Sequence, residues 1–479
     1  MNWFVFWIVI YLIIIARFAF RHVKVSDLDN YLVNNRNTRT LPLVFTTLAT
    51  FVGGGTSIGL MAMGYESGFA AIGIGVAYVM GFFIISRYAG SIHRIGKTKN
   101  IYSFPEFLNK HFTTENEKTF SKWFSATVSG VNIFIFFFLL AAQFVGMASL
   151  LKFAFDIGYI EAAIISCLVV IAYTALAGLS GVIITDTIQF IVIIIMIFLI
   201  FIPGVLTDTE NFIRLSELPE NFMDGTYYGI LFLVGLPLFL APSVIVRMDI
   251  WQRLLAARSE KVARRVSIIS GLGMLPFYII FPLVGMALRL VHTESVEPKY
   301  VAYFFLDNHC NQFVLGFAVV GLLSALMSSG DSFLNLISIS AIRDFIGWKK
   351  KAMTNAKKMH ARIRIAAFIF GFVALFMALV FPRIVDLMIV GLATIVIFVP
   401  VTFLAVLNNN AIEYRRIAIA SILSGFVANL AFFLLGIFNP EIFEPKTSFV
   451  PAFCVSLITL LTGIWIRKKQ LKRIKHDSN

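Results

Sequence analysis

The feature that most constrains this chain is the return of apolar runs close to 20 residues long from one end to the other. A helix rises 1.5 Å per residue, so such a run spans about 30 Å, the thickness of a bilayer's hydrocarbon layer. Composition agrees: 59% of the 479 residues are hydrophobic and 14% charged, against about a quarter charged in a soluble domain. The chain reads as an all-α polytopic membrane protein with thirteen spans, near 2–20, 41–64, 69–88, 124–151, 159–177, 180–203, 228–247, 266–291, 312–341, 365–381, 385–407, 417–437 and 449–466.

A net charge of +14 could suggest nucleic acid, but its distribution points to membrane topology. Alternate connections (17–39, 87–122, 247–265, 343–364, 408–416 and the tail from Arg467) hold 34 of the 40 lysines and arginines. The others hold Lys152, Arg214, Arg289, Lys299, Arg383 and Lys446. By the positive-inside rule the first set is cytoplasmic, with the N-terminus outside and the C-terminus inside a plasma membrane, most simply a bacterial inner membrane. This requires an odd number of spans, as thirteen is. The basic loops then face anionic lipid headgroups, and no nucleic acid is expected as a partner. The first apolar run has its positive charges after it, as in an anchor that is retained. Cys167, Cys310 and Cys454 have no metal-ligand spacing and imply no disulfide framework. Nothing in the sequence specifies an oligomeric state.

Polar residues inside the apolar runs carry the chemistry. In residues 324–335, Ala325, Ser328, Ser329 and Ser332 fall on one helical stripe, with Asp331 and Asn335 at its edge. Hydroxyls beside a carboxylate are hard oxygen ligands, suited to an alkali cation; small residues also let helices approach closely. In the second span, Gly53, Gly54 and Gly55 either form a packing face or break the helix and free carbonyls. After a turn marked by Gly178 and Gly181, Thr185, Asp186 and Gln189 enter the sixth span. Asp186 and Asp331 are two carboxylates at one depth with no basic residue in an adjacent apolar run, so a bound cation or a proton is expected to relieve them. The span 228–247 carries Gly235, Pro237 and Pro242 and should also be discontinuous, five spans after the glycine-interrupted one. Paired interrupted spans in matching halves point to an inverted-repeat transporter with its site at the midplane.

Four stretches, ATFVGGGTSIG (49–59), YTALAGLSGVIITDTIQ (173–189), WQRLLAARSEKVARR (251–265) and GLLSALMSSGDS (321–332), give the chain a resemblance to the sodium:solute symporter family. The resemblance implies a leucine-transporter-type five-plus-five inverted repeat: an extra N-terminal helix and loop (1–40), repeats 41–203 and 204–407, and two extra C-terminal helices with a basic tail (408–479). It implies sodium as coupling ion, held by Ala49, Val52, Ala325, Ser328 and Ser329, and a second sodium site at Asp186, Ser328 and Ser332, joined by Asp331. Substrate is expected between the two broken spans, near Thr50, Phe51, Gly54, Gly55, Thr56, Tyr78, Gln143 and Ser243. These are uncharged, and no arginine lies in 124–151, so a neutral, zwitterionic or cationic small solute is expected. The alternatives are a proton-coupled transporter and a sensor on the same scaffold. An enzyme is not expected, since no nucleophile–base pair or metal cluster lies within a span.

Overall fold

The computed structural model describes residues 2–21, 28–114, 116–292, 294–346, 356–408 and 410–477. Lys24 and the basic segment 347–355, read above as topology signals, lie outside them. The described chain is helical, with no β-strand among those residues and one isolated bridge, Thr38 to Ala257.

In chain order the helices are α1 (Trp3–Phe18), α2 (Thr40–Phe51), α3 (Gly55–Ser67), α4 (Ala70–Thr98), α5 (Phe104–Phe112), α6 (Lys118–Phe155), α7 (Tyr159–Thr174) and α8 (Gly178–Asp208). Then follow α9 (Phe232–Val246), α10 (Met248–Ala256), α11 (Glu260–Val291), α12 (Val301–His309), α13 (Gln312–Phe345), α14 (Lys358–Val380), α15 (Ile384–Leu407), α16 (Ala411–Phe438) and α17 (Pro445–Gln470). Among the described residues nine are long and apolar enough to cross a membrane, and eleven crossings result if each bent pair, α2/α3 and α9/α10, counts once. α1 and α7 are shorter apolar helices at the places of the remaining two expected spans.

Both interruptions are real, but only one falls where its glycines or prolines predict. α2 and α3 meet at 55° across residues 52–54, at the glycine run. α9 and α10 meet at 47° at Arg247, five residues beyond Pro242; Pro237 sits in a locally widened turn, Pro242 in an ordinary helical one, and the helix tightens only at Val244–Val246. The turn before α8 is made by Gly178 at φ +58°, a conformation that a side chain strains, whereas Gly181 already lies in the helix. α5 begins on a side-chain cap: the Ser103 hydroxyl accepts from the Glu106 amide at 3.2 Å, with Pro105 in the first turn.

The bundle is arranged about α13. Its most apolar window is 83% buried, against 22% for α17, so α13 is the axis and α17 faces lipid. α6, α7, α8, α2 and α1 pack around it. α10 does not lie in solvent as part of a 247–265 loop. Asp249, Trp251 and Arg253 are buried, and the Thr38 amide and carbonyl bond the Ala256 carbonyl (3.0 Å) and Arg258 amide (3.1 Å), pinning the end of α10 to the start of α2. Two arginines that resembled topology signals therefore become part of the interior.

Candidate functional site

The interruption between α2 and α3 releases backbone oxygens. The Gly54 amide, which would bond the Thr50 carbonyl in a continuing helix, donates to Gln143 Oε1 at 2.7 Å. The Thr56 amide, the corresponding partner of Val52, turns to the Gly53 carbonyl at 2.9 Å. α13 presents its hydroxyls to these freed groups. Ser328 donates to the Ala49 carbonyl at 2.9 Å and Ser329 to the Thr50 carbonyl at 2.6 Å, and both reach the Ala325 carbonyl, at 3.0 and 3.3 Å. Four of the five expected sodium ligands are thus gathered, with the Val52 carbonyl released at the same break. Thr50 joins them through its carbonyl, a role its side chain gave no sign of. The cluster is buried and all oxygen, a donor set that fits a small alkali cation. Gly53 permits the approach: a Cβ there would lie 2.0 Å from Ser329 Oγ.

Beside this cluster is a small cavity of about 100 Å³. Of the expected substrate residues, Thr50, Phe51, Gly55, Thr56, Tyr78 and Gln143 line it. Gly54 does not, its amide being turned to Gln143, and neither does Ser243, whose hydroxyl bonds the Leu240 carbonyl at 2.5 Å. Met388, Ile389 and Leu392 of α15 supply an apolar wall. Its lining is not uncharged as expected: Arg247 contributes to it. The chain breaks at that residue, so a side chain placed by sequence at a membrane boundary turns inward. Arg247 donates to Asp249 from Nε (3.0 Å) and Nη2 (2.5 Å), and its guanidinium stacks 4.2 Å from the Phe51 ring centroid.

Asp186 also has a partner that the sequence did not reveal. Arg253 Nη2 lies 3.7 Å from Asp186 Oδ2, and the Thr46 hydroxyl donates to the same carboxylate oxygen. The same nitrogen donates to Thr50 Oγ1 (2.6 Å), Ser332 Oγ (2.9 Å) and Thr46 Oγ1 (3.2 Å). A fixed guanidinium, not only a mobile ion, therefore offsets one buried carboxylate. Along α13, Asp331 is turned about 100° from Ser332. Its two oxygens, like Asp186 Oδ1, have no hydrogen-bond partner. Asp331 faces α7 and α1, which carry Tyr173 and Tyr11.

The cavity adjoins a wider vestibule of about 500 Å³, since Gly59 and Val385 line both. Three ion pairs ring the vestibule: Lys446 with Glu66 (3.6 Å), Arg383 with Asp386 (3.5 Å) and Lys299 with Glu297.

The overall architecture matches solved structures. A sodium-coupled sialic acid symporter in a substrate-bound outward-open state superposes with a TM-score of 0.76 over 97% of this chain and 98% of that one, at 18% identity. Mhp1, a nucleobase-cation-symport-1 family transporter in a closed conformation, gives 0.56 over 92% and 96%, at 14% identity. Two broken helices around a central cavity on this scaffold define a leucine-transporter-type fold. The sodium:solute symporter family profile matches residues 31–414, and the chain belongs to that family. A sodium/proline symporter 2 of Staphylococcus saprophyticus is 26% identical over 394 residues, covering 78% of this chain and 74% of that protein. A sodium/proline symporter of Staphylococcus aureus is 25% identical over the same shares. The protein is a sodium-coupled symporter in a multi-pass membrane setting, and it carries a small-molecule solute.

Proposed function

We propose that the chain imports a small amino-acid-like solute together with sodium, with the central cavity as the solute site. The observation that carries this is the meeting of Ser328 and Ser329 with the carbonyls freed at the α2/α3 break, next to that cavity. Ala49, Val52, Ala325, Ser328 and Ser329 would hold the coupling ion, which brings the electrochemical gradient to the cycle. Sodium/proline symporters among the relatives support a proline-like solute. A second sodium is proposed at Asp186, Ser328, Asp331 and Ser332. Of the two carboxylates there Asp186 pairs with Arg253, leaving the Asp331 charge to offset, and three of their four oxygens have no hydrogen-bond partner. Burying that charge unpaired would cost several kcal/mol.

The inverted repeats are proposed as residues 41–203 and 204–407, each opening on one of the bent pairs, with 1–40 and 408–479 outside them. α1 and α7 are proposed to complete thirteen crossings, placing the N-terminus outside and the C-terminus in the cytoplasm of a bacterial inner membrane. The vestibule then lies on the outer side. Uptake in proteoliposomes tests the proposal. An inward sodium gradient should drive accumulation of labelled L-proline, and a proton gradient alone should not. Accumulation driven by pH without sodium would replace this reading with proton coupling.

A further inference from the structure

We infer that Arg247 recognises a carboxylate on the transported solute, which makes that solute a carboxylate-bearing zwitterion and not a simple organic cation. The inference rests on the reading of the central cavity as the solute site and sharpens it.

Arg247 is 4% exposed, and among the residues lining the cavity it is the one with a charged side chain. It stands at the α9/α10 break, where the backbone is extended (φ −72°, ψ 119°) and delivers the side chain inward. A guanidinium carries five N–H donors in a planar fork. Asp249 takes one from Nε and one from Nη2. The Nη1 end meets only the Tyr78 hydroxyl, at a long 3.5 Å. One edge of the fork is thus spent on holding the group in place, while the other retains donors at the cavity wall. Phe51 stacks on its plane and fixes the orientation.

A purely structural role would not call for this residue. A buried ion pair adds little stability over apolar residues of similar volume. A carboxylate, by contrast, matches a planar donor edge and forms charge-assisted bonds there. A solute carrying only positive charge would meet a guanidinium and no facing acid on the cavity wall. The ammonium end of a zwitterion has acceptors among the lining residues, at Gln143 Oε1 and the Thr50 carbonyl. The α15 wall of Met388, Ile389 and Leu392 suits a short hydrocarbon body between the two.

The test uses two matched pairs of probes on the purified full chain, in sodium or potassium: L-proline with L-prolinamide, and glycine betaine with choline. Binding is read by calorimetry and thermal shift, and uptake in proteoliposomes. The carboxylate member of at least one pair should bind 10-fold or more tightly than its partner. Arg247→Gln/Asp249→Asn, which leaves no buried charge unpaired, should abolish that preference. It should raise KM for the carboxylate at least 10-fold with a smaller change in kcat. Arg247→Lys should restore part of the preference. Equal or better binding of prolinamide or choline overturns the inference, as does a preference that survives in the folded double variant or binding of none of the four probes. Carboxylate-selective uptake without a sodium requirement would sustain the role of Arg247 and instead sink sodium coupling at the α2/α13 cluster.

Discussion

Gly53→Ala is the sharpest probe of the sodium cluster, because it adds one methyl at the point where α2 and α13 touch. The new Cβ would lie 2.0 Å from Ser329 Oγ and 2.6 Å from Ser329 Cβ. Ordinary contact begins near 3.4 Å, so the helices must separate by about 1.4 Å or Ser329 must leave its rotamer. Either response stretches the Ser329–Thr50 bond from 2.6 Å to about 4 Å, outside hydrogen-bonding range. Overpacking of this kind costs about 1–3 kcal/mol. If that strain falls on the sodium-bound state, affinity drops by about 5- to 140-fold at 1.4 kcal/mol per decade. Sodium-dependent thermal shift and equilibrium ²²Na⁺ binding on purified protein measure it. Gly130→Ala is the control: its Cβ would meet only Phe345 Cε2, at 3.9 Å, within α6. It should leave sodium binding unchanged and stabilise the helix by up to about 1 kcal/mol. Sodium affinity within twofold of the unmodified protein in a folded Gly53→Ala variant would refute the assignment of Ser329 and the freed carbonyls to the ion.

Ser329→Ala should abolish sodium stimulation of uptake while the chain remains folded, since it deletes one ligand and leaves only the Thr50 and Ala325 carbonyls without that donor. Asp186→Asn should destabilise the protein by about 3 kcal/mol, because Arg253 is left buried beside a neutral amide. Combining it with Arg253→Gln should recover part of that loss in a denaturation series, and no recovery would argue that the two do not act as a pair. If the second sodium is bound there, Asp186→Asn also lowers the sodium Hill coefficient from near two to near one. His309 Nε2 donates to Asp208 Oδ1 at 3.0 Å, and that hydrogen bond raises the imidazole pKa above the ordinary 6.5. A raised folded-state pKa stabilises fully below the unfolded value and is lost as pH rises through the folded one. Thermal stability should therefore fall from pH 6.5 upward, and His309→Gln should flatten that slope.

The membrane class, the two interruptions and the hydroxyl row were legible in the sequence for local reasons. Apolar length, consecutive glycines and helical spacing express themselves within one element, so residues 49–55 and 325–332 could be read before any packing was known. The pairing of Ser328 with Ala49 across 279 positions followed only from a family resemblance, and the structure supplies its distances. What the sequence alone could not decide was where charge would be buried. Arg247 and Arg253 lie in a polar-looking stretch after a proline-containing span, and a one-dimensional reading places such residues at the membrane surface. Their fate depends on a 47° bend that turns α10 back into the bundle, where Asp186, Asp249 and the hydroxyls of Thr46, Thr50 and Ser332 receive them. Burying a charge is tolerable only when partners from several elements converge on it, and convergence is a property of the tertiary fold.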